Sequence, residues 1–78
     1  MEKLKNIFAT TLEIPVDSVG SGMSKDNTPT WDSLSEIMIV TEIEKAFQIK
    51  FSYDEAQSIK TFEDVVTLLS SKGIDLRA

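Results

Sequence analysis

Residues 30–47 read TWDSLSEIMIVTEIEKAF, and their periodicity decides the fold. At about 100° per residue around a helix axis, Ile39, Val40, Ile43 and Phe47 fall in one arc. Leu34, Ile37, Met38 and Thr41 fall in another, nearly opposite. Ser35 and Glu42 stand on one boundary between the arcs and Glu44 on the other. A surface helix of a small domain normally carries one apolar stripe; this one carries two. One stripe faces a core. The other is either covered by the loop before the helix or left open as a contact surface edged by acids.

The head of the stretch is rich in helix-starting residues. Asp32 and Ser33 are both good N-caps and Thr30 is a weaker one. Ser33 and Glu36 have the spacing of a capping box. Taken alone, that pattern predicts an ordinary helix start in which Ser33 caps and Glu36 reaches back.

The rest of the chain reads as further helices. Leu4, Ile7, Phe8, Thr11 and Leu12 form an amphipathic stripe over residues 2–12, and Pro15 either stops it or starts a new turn. Residues 13–31 show no sustained period and are punctuated by Pro15, Gly20, Gly22 and Pro29. Val16, Val19, Met23 and Trp31 are the expected pegs of this loop, with a helical turn over 15–19. A connection of this length suits a crossover between parallel neighbours in a helical bundle. Ile49 and Phe51 are expected to point inward. Ser52 and Glu55 make a capping box that opens a short helix over 53–58. Thr61 and Asp64 make a weaker one that opens a last helix ending near residue 71, with Phe62, Val65, Leu68 and Leu69 as its apolar side. Gly73 is a left-handed stop, and residues 74–78 are a tail of no predicted order. The expectation is an all-α single domain, residues 1–78, built as a small bundle of three main helices plus one short helix.

Composition narrows the function. Eight basic and thirteen acidic residues give a net charge of −5, which disfavours nucleic acid and suits basic partner proteins. With no cysteine and no histidine, disulfides, thiolate chemistry and the commonest general base are all missing. No apolar run approaches a membrane span, and the N-terminal residues lack a signal-peptide pattern. A cytoplasmic, monomeric protein is expected. The carboxylates are scattered, so no metal site is read. Nor is Gly20-Ser21-Gly22 a phosphate loop.

Asp32-Ser33-Leu34 at the head of an acid-bearing helix resembles the attachment motif of acyl carrier proteins, whose relatives include peptidyl, aryl and D-alanyl carriers. The likeness spans nearly the whole chain: an early amphipathic helix, a long loop, the Ser-Leu helix ending in phenylalanine, and two short capped helices. It implies a small acyl-carrier-like bundle in which Ser33 carries 4′-phosphopantetheine as a phosphodiester. The arm's thiol would then hold acyl or aminoacyl groups as thioesters. It implies that Asp32 assists a phosphopantetheinyl transferase through Mg²⁺, where the residues alone also allow a capping role. It implies a docking face with Leu34, Ile37, Met38 and Thr41 at its centre and Glu36, Glu42 and Glu44 around it. This face would meet ligases, synthases or acyltransferases through their basic patches. Such a chain is a carrier and not an enzyme; the alternative is an unmodified helical adaptor of the same fold.

The chain departs from the fatty-acid-synthesis pattern at several places. Thr30-Trp31 precedes Asp32, Ser35 follows Leu34, Met38 stands where a glutamate is usual, and the helix ends Glu44-Lys45-Ala46-Phe47. Trp31 is similar to carriers of specialised pathways, so fatty acid and specialised-metabolite synthesis both stay open, as does the length of the cargo.

Overall fold

The computed structural model describes residues 1–76. Arg77 and Ala78, the end of the expected tail, lie outside them. Four α-helices follow in order: α1 (Glu2–Leu12), α2 (Ser33–Phe47), α3 (Tyr53–Ser58) and α4 (Phe62–Ser71). A single 3-10 turn, Val16–Ser18, lies in the first loop. The protein is all-α, as expected.

α1 buries Leu4, Phe8 and Leu12, one residue per turn. It ends because Glu13 adopts the left-handed conformation at φ 58 and gives its N–H to the Ala9 carbonyl. That termination stops the helix, and Pro15 takes the other role open to it, at the N-cap of the 3-10 turn Val16–Ser18. Lys3 Nζ donates to the Ala46 carbonyl at 2.7 Å, and the N-terminal amine donates to the Leu76 carbonyl. The start of α1 therefore lies beside the ends of both α2 and α4, and α1 runs antiparallel to both. The expected parallel crossover between the first two long helices is corrected: the parallel pair is α2 and α4.

The first loop has a different task. Val19, Met23 and Trp31 are buried, while Val16, expected as a peg, is 39% exposed because it sits in the outward 3-10 turn. The loop is stitched to the start of α4. Phe62 N–H donates to the Met23 carbonyl at 3.0 Å and Lys25 N–H to the Lys60 carbonyl at 3.0 Å, around a bridge between Ser24 and Thr61. Asn27 closes the loop on itself, accepting from Ser24 N–H and donating to the Gly22 carbonyl, both at 2.9 Å. Where the loop packs against the core, backbone groups shielded from water need partners of this kind.

Phe8 is the centre of the core. Its ring meets Trp31 at 5.3 Å and Phe62 at 5.1 Å between centroids, both edge-on. Pairs of this kind contribute about 0.5–1.5 kcal/mol each beyond the area they bury. One residue of α1 thus joins the loop before α2 to the start of α4.

The two later helices start as their sequences predict, with reciprocal capping boxes at Ser52/Glu55 and Thr61/Asp64. None of the α3 residues is buried. Polar ties hold it instead: Phe51 N–H donates to the Glu44 carboxylate at 2.9 Å, and Lys72 Nζ reaches Glu55 at 3.0 Å. Ile49 and Phe51 pack half-buried against the core. After Gly73 at φ 84 the chain stays packed: Ile74 N–H bonds the Leu69 carbonyl and Leu76 is 7% exposed. The tail, whose order the sequence leaves open, is therefore packed through Leu76.

Candidate functional site

The site is built at the mouth of α2, where the structure chooses between the two N-caps that the sequence offers. The N-cap is Asp32, and Ser33 is the first helical residue. The capping box joins Asp32 to Ser35, not Ser33 to Glu36. Asp32 Oδ1 accepts Ser35 N–H at 3.0 Å, and Ser35 Oγ accepts Asp32 N–H at 2.8 Å. Ser35 Oγ also donates to the Thr30 carbonyl at 2.8 Å. One hydroxyl thereby pins the strand before the helix to its first turn. The shift by one residue has a chemical effect. A capping Ser33 would turn its hydroxyl inward to the backbone. As the first helical residue it is exposed, and its Oγ makes no hydrogen bond among the described residues.

Asp32 is held in its carboxylate form. Its pKa lies below the usual aspartate value, chiefly because Ser35 N–H bonds the charged form, with the Ser35 hydroxyl adding to this and some desolvation opposing it. Both Ser35 contacts fall on Oδ1, and neither uses Oδ2. The capping role is observed, and it does not preclude a second role at that oxygen.

The two stripes of α2 part as the wheel requires. Ile39 and Ile43 are sealed in the core. Leu34, Ile37 and Met38 are 69%, 64% and 50% exposed, Thr41 is exposed, and the loop covers none of them. Thr41 Oγ1 bonds back to the Ile37 carbonyl at 2.8 Å. Burying a side chain of this kind is worth roughly 1.5–3 kcal/mol, and the fold leaves that gain unused on this face.

The acids around the face are not equivalent. Glu36 is ion-paired with Lys25, with side chains 13% and 31% exposed. Glu44 accepts the Phe51 N–H. Only Glu42 stands out from the surface, 3.9 Å from Lys45, a separation at which an exposed pair contributes little. Sequence reasoning placed all three around the face, leaving capping open for Glu36 and simple solvation for Glu42. It missed Ser35, placed on a boundary but 8% exposed, and Lys25 altogether. Asp-x-x-Ser has capping-box spacing and could have pointed to Ser35. Lys25 sits in an aperiodic loop and carries no local signal.

Among the described residues no group of His, Cys, Asp and Glu side chains could hold a metal ion, and no helix is long and apolar enough to cross a membrane.

No protein-family model matches the chain, but individual proteins do. It is 30% identical over 70 residues to the acyl carrier protein of Coprothermobacter proteolyticus, covering 90% of this chain and 85% of the relative. It is 34% identical over 65 residues to the acyl carrier protein of Onion yellows phytoplasma, covering 83% and 86%. Acyl carrier protein 3 of Ralstonia nicotianae is 28% identical over 71 residues, covering 91% and 82%. In three dimensions the chain superposes on a solved Mycobacterium tuberculosis structure assigned as an acyl carrier protein, with a TM-score of 0.78 and 26% identity over 87% of this chain and 90% of that one. The chain belongs to the acyl carrier protein family. Its function is that of a carrier, and members of the family generally bear 4′-phosphopantetheine.

Proposed function

We propose that Ser33 is the attachment point of 4′-phosphopantetheine and that residues 1–78 act as one carrier unit rather than as a catalyst. The observation that carries this reading is the free, exposed Ser33 hydroxyl at the first helical position of α2. A phosphodiester there lies where a helix presents unpaired N–H groups and partial positive charge. The junction of loop and helix is open to a modifying enzyme. Among the described residues no basic side chain bonds Ser33, which suits a hydroxyl that is a substrate rather than this chain's own nucleophile. Asp32, ionised and half engaged in the cap, is the group placed to assist the transferase and its Mg²⁺. When bound, the arm supplies a thiol for acyl or aminoacyl thioesters.

Partners would dock on Leu34, Ile37, Met38 and Thr41, with apolar contact giving affinity and charge giving on-rate and orientation. A carrier must release each client, so the interface is expected to be small. Activating ligases, synthases and acyltransferases with basic patches suit it.

The test is incubation with coenzyme A and a promiscuous phosphopantetheinyl transferase, read by intact mass. The wild type should gain one phosphopantetheinyl group and Ser33→Ala none. A wild type that keeps its mass with several transferases would overturn the reading in favour of an unmodified adaptor.

A further inference from the structure

The first loop carries a groove of about 460 Å³, a volume in the range of small-ligand clefts. Val19 and Met23 supply its apolar side, and Asp17 and Thr28 its polar one. Gly20 and Gly22 also line it, and the fold requires glycine at neither position. Neither has a positive φ, and a Cβ placed on either meets nothing within 4 Å. Among the described residues neither glycine N–H is hydrogen-bonded. A glycine needed for neither backbone shape nor packing still leaves a backbone that a ligand can approach closely.

The wall of the groove is set before any ligand enters. Asn27 Nδ2 donates to the Gly22 carbonyl at 2.9 Å, and the Thr28 hydroxyl donates to Asn27 Oδ1 at 3.0 Å. The stretch from Thr28 to Thr30 forms the side that leads on to α2, and the Thr30 carbonyl accepts from Ser35 Oγ at 2.8 Å. One end of the groove is therefore fastened to the first turn of α2. Ser33 stands three residues beyond Thr30, a stretch that spans at most about 11 Å. The pantetheine arm has more bonds between phosphate and sulfur than that stretch of backbone, so an arm on Ser33 can turn back and reach the groove. The centre of the core, by contrast, is filled by the rings of Phe8, Trp31 and Phe62 set edge-on.

We infer that Gly20 and Gly22 hold open a resting groove on the first loop for the phosphopantetheine arm of Ser33. The unbonded N–H groups of the two glycines are the donors for the arm's amide carbonyls. Asp17 accepts from its hydroxyl or amide N–H, and Val19 and Met23 receive its methyl groups. An alternation of amide and apolar groups along the arm thus meets a lining of the same mixed kind. Held there, the thiol end is shielded from solvent between visits to partner enzymes. This inference rests on the carrier reading above, since the arm must be attached at Ser33.

The experiment compares the isotope-labelled full chain by NMR before and after it receives the arm, and measures how fast iodoacetamide alkylates the arm's thiol. Loading should shift the amide signals of Gly20, Gly22, Met23 and Thr28 as well as those beside Ser33. Contacts should appear from the arm's methyl groups to Val19 and Met23. Gly22→Leu should keep the urea midpoint, since its φ lies outside the left-handed region, and should still gain one phosphopantetheinyl group. It should lose those contacts, and its thiol should be alkylated about twofold to fivefold faster, as expected when a docked state held by a few ordinary hydrogen bonds is removed. Ser21→Leu, beside the glycines but not on the groove, should keep the wild-type rate. Shifts confined to the surroundings of Ser33, or arm contacts with Ile39 or Ile43 in the core, overturn the inference while leaving the carrier reading intact. So does equal alkylation of wild type and Gly22→Leu, or an equal rise in Ser21→Leu. The wild-type spectra need no variant and decide the matter alone if Gly22→Leu does not fold. A wild type that never gains the arm defeats the carrier reading itself.

Discussion

The two sides of α2 carry similar side chains and meet opposite fates. Ile39 and Ile43 are sealed against α1 and the core, while Leu34, Ile37 and Met38, on the same helix, stand in solvent. The inner residues are explained by stability. The outer ones are not, since a polar residue at each would fold as well. An apolar side chain kept at a position where folding does not require it points to a contact the isolated chain does not make. The acids repeat the lesson. Glu36 and Glu44 have partners inside the molecule, and Glu42 has almost none.

Substitutions can break this comparison. The largest effect is expected on the inner side. Ile43→Ala should remove about 2–5 kcal/mol of stability, seen as a lowered urea midpoint. Ile37→Ala should change the midpoint by no more than about 0.5 kcal/mol. Equal losses would mean that the outer side is core after all. Next in size is the Lys25–Glu36 tie. Lys25→Met leaves a partly buried carboxylate without its partner and should cost about 1–2 kcal/mol, between the surface and buried extremes for ion pairs. The exchanged pair Lys25→Glu with Glu36→Lys should recover part of that. Ser35→Ala removes one half of the Asp32 box and should cost about 1 kcal/mol, with slower modification of Ser33 as the strand before the helix loosens. Smallest in stability and sharpest in function are Ile37→Glu and Met38→Glu. Each should keep the helix content while spoiling use by partner enzymes.

The pH dependence sharpens the same point at the mouth of the helix. Asp32 has a pKa below its unfolded value, so its capping contribution is full above the ordinary carboxylate range and is lost as pH falls through the lowered pKa. In Ser35→Ala the main cause, the backbone N–H of residue 35, survives while the hydroxyl is gone. The Asp32 pKa should therefore rise only part of the way, as a carboxyl carbon titration by NMR would show. A complete return to the usual aspartate value would mean that the cap itself had opened.

How much of the molecule was legible in advance follows the range of the forces involved. The bounds of α1 and α3 could be read directly, α1 from its apolar period and α3 from the capping box of Ser52 with Glu55, signals that lie within one or two turns. Gly73 could be read as a left-handed stop for the same reason. The start of α2 stayed open between Asp32 and Ser33 because Asp32, Ser33 and Glu36 offer two capping registers of similar local quality. The choice fell to Ser35, whose hydroxyl gains the Thr30 carbonyl as a further partner once it is buried.

From the chain alone came the all-helical class and the two-striped helix, since periodicity and capping are local and every helix must obey them. Tertiary structure alone decided that α1 opposes both α2 and α4, that the long loop is stitched to the start of α4, and that Lys25 takes Glu36 away from the surface. Those choices join residues far apart in sequence, and a contact between distant residues is set by how the whole core closes around Phe8, Trp31 and Phe62.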